Sequence, residues 1–232
     1  MKTSSQKLYV VLTGLTLALL SAASSAIERP FEIERLGNFD SPWALEFLPD
    51  GRVLVSEMSG NLKLLDEDGR LLGNVSGVPK VAYGGQGGLG EIALHPRFER
   101  NNLVYISFAE TGEDDTYGAA IIRAKLNLSE DGGSLSSVET IWKQHPKVPG
   151  QGHFGHRITF DEAGYLWISS GERQKFDPAQ DMSSNLGKII RLNDDGSIPV
   201  DNPFFFGEGI TRELWSLGHR NPLGLAFDTD GR

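Results

Sequence analysis

The chain has 232 residues, no cysteine and a formal net charge of −9 at neutral pH. The acidic balance argues against nucleic acid or an anionic membrane surface as a partner. The lack of cysteine excludes a disulfide framework, thiolate catalysis and thiolate zinc sites, so stability must come from packing or bound metal.

Lys2 and Lys7 frame a short basic start, Leu8 to Leu20 is a largely apolar run, and Ser24-Ser25-Ala26 supplies small residues of the kind a signal peptidase accepts. Residues 1–26 therefore read as a signal peptide cut after Ala26. The run is short for a membrane span and no second one follows, so no stable membrane span is expected after cleavage; an uncleaved anchor is the alternative. A periplasmic or secreted location is expected. Residues 27–232 are enough for one sizeable domain.

Phe31 to Leu36 alternates apolar and polar residues as a strand does. Four later stretches share one text: Trp43–Gly51, Glu91–Pro96, Arg157–Gly164 and Leu223–Gly231 alternate in the same way and reach a turn built from Pro, Asp and Gly. A second apolar run follows the first three, at Arg52–Ser56, Leu103–Ser107 and Tyr165–Ser169. Phe47, Leu94, Phe160 and Phe227 hold equivalent places. A blade-sized repeat without amphipathic helices predicts an all-β fold, a β-propeller. A β-sandwich is the alternative, but it does not explain the recurring text. About three and a half blades are expected here. The text ends after the first hairpin turn of a fourth repeat and leaves Phe31–Leu36 nothing to pair with. Residues 27–232 are thus expected to be an incomplete propeller domain, an N-terminal fragment lacking roughly two to three blades, inactive by itself and exposing strand edges.

Gly85 to Gly90 fits the G-x-G-x-x-G pattern, but a short strand stopped by Pro96 follows instead of a helix, which argues against a dinucleotide site. The alternative is a glycine-rich, channel-facing loop that presents Gln86, whose amide both donates and accepts. His153 stands four residues before Arg157, and Glu172 follows the strand Tyr165–Ser169. On adjacent strands of one blade, the Glu172 carboxylate would fix the imidazole tautomer and support a transient imidazolium, as a general base requires. A structural turn histidine at 153 or 156 is the competing reading. Arg220-Asn221-Pro222 opens the fourth repeat; the proline favours an extended Asn221, and an arginine beside an amide suits a planar, anionic, carbonyl-rich ligand. A purely structural arginine is the alternative. Asn193–Ser197 resembles a calcium loop only in composition and is read as a hairpin turn, and Glu113-Asp114-Asp115 as a solvated loop tip.

Three motifs together, Gly85–Pro96, Asn185–Pro199 and Leu217–Pro222, resemble the soluble pyrroloquinoline-quinone-dependent aldose sugar dehydrogenases. The resemblance covers about residues 30–232. It implies a propeller that is six-bladed when complete, with calcium helping to hold the quinone. Carried over by motif, His153 resembles the general base, Glu172 its orienting carboxylate, and Arg220 a residue that polarises the quinone. Gln86, Arg220 and Asn221 resemble quinone-contacting positions. The best-known glucose dehydrogenase of the family has aspartate at the Glu172 position, so reach differs there. The calcium ligands are expected beyond residue 232, and no metal ligand is assigned within the chain. The implied activity oxidises the anomeric hydroxyl of aldose sugars to lactones, with hydride transfer to the quinone and an electron acceptor the sequence does not name. The competing readings are a calcium-dependent propeller lactonase or other hydrolase and a non-catalytic propeller that binds glycans or proteins.

Overall fold

Strands need two-residue alternation and a partner for every backbone N–H and C=O; both conditions are met over most of this chain. The computed structural model describes residues 31–231, so the leader expected over residues 1–26 lies outside the described residues. Residues 31–35, the described part of an N-terminal unit that runs to Arg35, carry no strand. The strand expected from Phe31 to Leu36 is thus absent, and Phe31, Ile33 and Leu36 are exposed.

Everything else belongs to the unit Leu36–Arg232. The first blade is an antiparallel meander of β1 (Pro42–Phe47), β2 (Val53–Glu57), β3 (Asn61–Leu65) and β4 (Leu71–Ser76). The second repeats it with β5 (Leu89–Leu94), β6 (Leu103–Thr111), β7 (Thr116–Ser129) and β8 (Gly132–Lys143). A two-residue strand, β9 (Val148–Pro149), pairs with the start of β7. The third blade is β10 (Gly155–Phe160), β11 (Leu166–Ser170), β12 (Lys188–Leu192) and β13 (Leu214–Leu217). Successive four-stranded meanders are the blades of a β-propeller. The long β7–β8 hairpin carries a parallel pairing to β4, Val75 with Gly133 and Ser76 with Ser134, which joins the first two blades at their outer edges.

The fourth repeat forms its turn but not its strand. Gly231 N–H donates to Asp228 O at 3.0 Å, as Gly164 does to Asp161 at 3.0 Å and Gly196 to Asn193 at 3.0 Å. Leu223–Phe227 is not a strand because no ladder partner runs beside it among the described residues. Its Phe227 ring still packs edge-on against Trp167, at 5.5 Å between centroids. Trp167 is buried, whereas Phe47 at the end of β1 is 67% exposed.

Alternation splits the middle blade between two cores. Val104, Ile106 and Phe108 of β6 and Ala120, Ile122 and Ala124 of β7 pack towards the first blade, onto Leu54, Leu62 and Leu64. Their neighbours Tyr105, Ala109, Ala119 and Ile121 face the third blade and meet Ile158, Leu166, Ile168 and Ile190. Each such aliphatic side chain contributes about 1.5–3 kcal/mol on burial.

A second device recurs at the blade joints. Each innermost strand is bulged near its start, and the exposed N–H is taken by a buried serine of the next strand. Ala44 N–H donates to Ser56 Oγ at 3.1 Å, Glu91 N–H to Ser107 Oγ at 2.7 Å, and Arg157 N–H to Ser169 Oγ at 3.0 Å. Each hydroxyl also bonds onward to the following repeat: Ser56 and Ser169 donate to Gly90 O (2.7 Å) and Pro222 O (2.9 Å), and Ser107 Oγ is hydrogen-bonded to His156 Nδ1 (2.9 Å). The serines fix how each repeat meets the next, and so where the loops between them point.

Candidate active site

The loop before β5, the loop before β10, the loop after β11 and the segment after β13 converge on His153. Gln86 Oε1 accepts the backbone N–H of His153 at 2.8 Å, and Gln86 N–H donates to Gln151 O at 2.8 Å. His153 Nδ1 is hydrogen-bonded to Glu172 Oε1. Glu172 N–H donates to Arg220 O at 2.8 Å, and Asn221 Oδ1 accepts Gly155 N–H at 3.0 Å. All five residues singled out in the sequence therefore sit in one hydrogen-bonded cluster. The approach is close enough that a Cβ on Gly171 would lie 2.0 Å from His153 O, so only glycine fits between the base loop and the carboxylate loop.

The Glu172 carboxylate is buried and receives three N–H groups: His153 Nδ1, Gln174 N at 3.1 Å and Phe176 N at 2.6 Å. Burial alone would raise its pKa. The His153 hydrogen bond and the two backbone N–H groups outweigh burial and hold it below its ordinary value. An ionised Glu172 makes Nδ1 the protonated nitrogen of a neutral His153, which leaves the Nε2 lone pair outward; no hydrogen bond occupies that atom among the described residues. The imidazole is 12% exposed, so a small molecule can reach it.

The loop that feeds Glu172 is strained. Arg173, Gln174 and Phe176 have φ of 59°, 60° and 62°, and His153 has φ of 52°. At Phe176, with ψ of −73°, Asp177 N–H donates to Lys175 O at 2.8 Å and closes a γ-turn of the rarer, strained hand. Such conformations persist where the surroundings over-determine them, and they cluster at functional sites.

Two supporting residues carried no signal in the sequence reading. Arg173 is buried, donates to Gly152 O at 2.9 Å and to the carbonyls of Tyr117 and Gly150, and lies 3.7 Å over the Phe154 ring. Burial lowers its pKa to about 10, with Glu172 pulling the other way. Gln144 accepts Ala119 N–H at 3.0 Å and donates to Ser170 Oγ and Gly171 O, both at 2.9 Å, tying the second blade to the strand ends beneath the base.

His156, Arg157 and His219 do different work. His156 is buried, stacks on Trp43 and is hydrogen-bonded to Ser107 Oγ; burial, then the charges of Arg157 and Arg173, lower its pKa to about 3, so it is neutral and structural. Arg157 pairs with Glu91 and donates to Leu223 O at 2.9 Å, bridging repeats. His219 Nε2 meets Ser216 Oγ at 2.7 Å, away from His153. Arg220 is exposed, and its guanidinium makes no hydrogen bond or ion pair among the described residues. Gly84–Gly87 forms a tight turn and no helix follows, so the glycine-rich stretch is a loop. Asn193–Ser197 closes as a turn, and no group of three or more His, Asp or Glu is placed to hold a metal among the described residues.

Residues 39–232 match the family model for glucose/sorbosone dehydrogenases. The chain belongs to that family. It is 39% identical over 214 residues to the aldose sugar dehydrogenase YliI of Escherichia coli K12, covering 91% of this chain and 57% of that protein. The apo-form crystal structure of the soluble aldose sugar dehydrogenase from E. coli superposes with a TM-score of 0.78 at 39% identity, over 82% of this chain and 55% of that one. The pyrroloquinoline-quinone-bound form of the Streptomyces coelicolor aldose sugar dehydrogenase gives 0.70 at 32% identity, over 84% and 55%. The chain spans about half the length of the relatives it matches.

Proposed function

We propose that the protein oxidises the anomeric hydroxyl of aldose sugars to lactones, with pyrroloquinoline quinone as the bound electron acceptor. The observation that carries this reading is the His153–Glu172 pair, with its outward Nε2, inside a ring of unspent hydrogen-bond donors. The amide orientations are set by their partners: Gln86 Oε1 and Asn221 Oδ1 accept backbone N–H groups, which leaves Gln86 Nε2 and Asn221 Nδ2 as donors. The unpaired Arg220 guanidinium adds a cationic fork. Three donors and no competing carboxylate partner suit a planar, acceptor-rich anion, so these residues fit the quinone.

When bound, the quinone supplies the two-electron acceptor for the C1 carbon of the sugar. His153 Nε2 takes the proton of the C1 hydroxyl, and Glu172 stabilises the imidazolium that results. Gln86 and Asn221 orient the bound group, and Arg220 stabilises negative charge that develops on it. No group of three or more His, Asp or Glu stands together among the described residues, so calcium, which would help to hold and polarise the quinone, would take its ligands elsewhere. The basic, apolar and small-residue text of residues 1–26 supports a periplasmic or secreted location.

The test is turnover of a panel of aldoses by a full-length protein that carries these residues, reconstituted with pyrroloquinoline quinone and calcium, with an artificial dye as acceptor. Quinone-dependent lactone formation is expected. No quinone-dependent turnover on any sugar would overturn the reading, and lactone hydrolysis without quinone would replace it with a hydrolase.

A further inference from the structure

Lys188, the first residue of β12, is fully buried. A buried ammonium is costly unless its protons find acceptors. Here all three do: Nζ donates to Pro178 O at 2.7 Å, Ala179 O at 3.1 Å and Leu186 O at 2.7 Å. These carbonyls belong to the short 3-10 turn Asp177–Ala179 and to the chain returning into β12.

The chain leaving β13 docks at the same place. Gly218 N–H donates to Ala179 O at 2.8 Å, and His219 N–H to Gly187 O at 3.0 Å. The packing is backbone on backbone: a Cβ on Gly187 would come within 2.5 Å of His219 O and 2.8 Å of Ala179 Cα. Two backbone segments thus meet at the cation and a third docks on their carbonyls at Ala179 and Gly187; the first and the third lead to Glu172. The 3-10 turn continues directly from Gln174 and Phe176, whose N–H groups hold the carboxylate. The segment after His219 supplies Arg220 O to Glu172 N–H and Asn221 Oδ1 to Gly155 N–H. No hydrogen bond joins Lys188 itself to His153 or Glu172.

We infer that Lys188 is a positioning residue whose ammonium clamps the 3-10 turn Asp177–Ala179 to Leu186 and so holds in place the carbonyls of Ala179 and Gly187 on which residues 218–219 dock. It thereby sets both the orientation of the Glu172–His153 pair and the presentation of Arg220 and Asn221. The functional half rests on the proposed oxidation; the clamp itself rests on geometry alone. Asp181 is the titratable group whose charge acts on it, and the Lys188 charge in turn adds to burial in lowering the His219 pKa. Burial lowers the Lys188 pKa to about 8, with Asp181 pulling it back up, so the ammonium is the main form at pH 7.

The test reads amide hydrogen exchange in the intact chain at pH 7, without quinone or sugar, for the wild type, Lys188→Met and Lys188→Cys. Because the chain has no cysteine, Lys188→Cys can be aminoethylated while unfolded to a lysine-like thioether and refolded. Gln174, Phe176, Gly218 and His219 should exchange at least about tenfold faster in both unmodified variants, while Ile106 and Ile168 keep their protection. Aminoethylation should restore the slow exchange. Unchanged exchange at those four amides, equal loss across all blades, or failure of both variants to fold would overturn the clamp. In quinone-loaded protein, Lys188→Met should lower kcat more than it raises KM. If the protein proves not to oxidise sugars, the exchange result still stands or falls separately.

Discussion

Replacing Glu172 with glutamine changes almost no volume and removes one charge from a buried carboxylate that accepts three N–H groups. One oxygen takes His153 Nδ1 and Gln174 N, and the other takes Phe176 N. An amide can place oxygen on only one of these sides, so at least one buried N–H must face an NH2 group. A buried donor left without an acceptor costs about 1–3 kcal/mol. The loop has a ready way to relax, because Arg173, Gln174 and Phe176 are held at positive φ and are released when the carboxylate lets go. Urea unfolding of Glu172→Gln should therefore show a loss of about 1–3 kcal/mol, and hydrogen exchange should place it at residues 173–176. If misorientation of His153 carries the same cost, turnover should fall about 5- to 150-fold. A variant as stable as the wild type, with the Gln174 and Phe176 amides still protected, would refute the view that the carboxylate holds this loop.

Ile106→Ala, in the fully buried core between the first two blades, should cost about 2–5 kcal/mol by urea unfolding; a cost under about 1 kcal/mol would mean the blades do not pack as described. The folded-state pKa of Glu172 lies below its ordinary value of 4.5, so its contribution is fully present above that value and is lost as pH falls through the folded value. Unfolding measured from pH 6 downward should show Glu172→Gln losing less stability with acid than the wild type, and parallel curves would contradict the hydrogen-bond assignment. Arg220→Ala should weaken quinone binding about tenfold or more in an equilibrium titration, yet leave the melting temperature unchanged because its guanidinium has no partner among the described residues.

Much of the fold was legible because strands and turns are local. Period-two alternation and the turn residues located β1, β2, β5, β6, β10 and β11 within a few residues, and His153 and Arg220 drew attention because each stands just ahead of a repeat. Phe31–Leu36 and Leu223–Phe227 show the limit: alternation makes a segment competent for a sheet, but a ladder partner makes it a strand, and alternation is silent on partners. The long β7–β8 hairpin was missed because Thr116–Lys143 carries no repeat text. Arg173 and Lys188 were missed for another reason. A charged side chain reads as surface until the fold brings three carbonyls to it. The blade-joint serines were visible all along, at the same place in Val-Leu-Val-Ser56, Val-Tyr-Ile-Ser107 and Leu-Trp-Ile-Ser169. Only the bulges in β1, β5 and β10 show what those hydroxyls are for.

The most direct test of His153 as the base separates binding from turnover. In His153→Ala of a full-length protein that carries these residues, the quinone affinity measured by equilibrium titration should stay within a few-fold of the wild type, because Gln86, Asn221 and Arg220 remain. Aldose oxidation by the quinone-loaded variant should fall by about two to four orders of magnitude, the scale of a lost general base. Turnover near that of the wild type, or a loss fully explained by weaker quinone binding, would contradict the assignment.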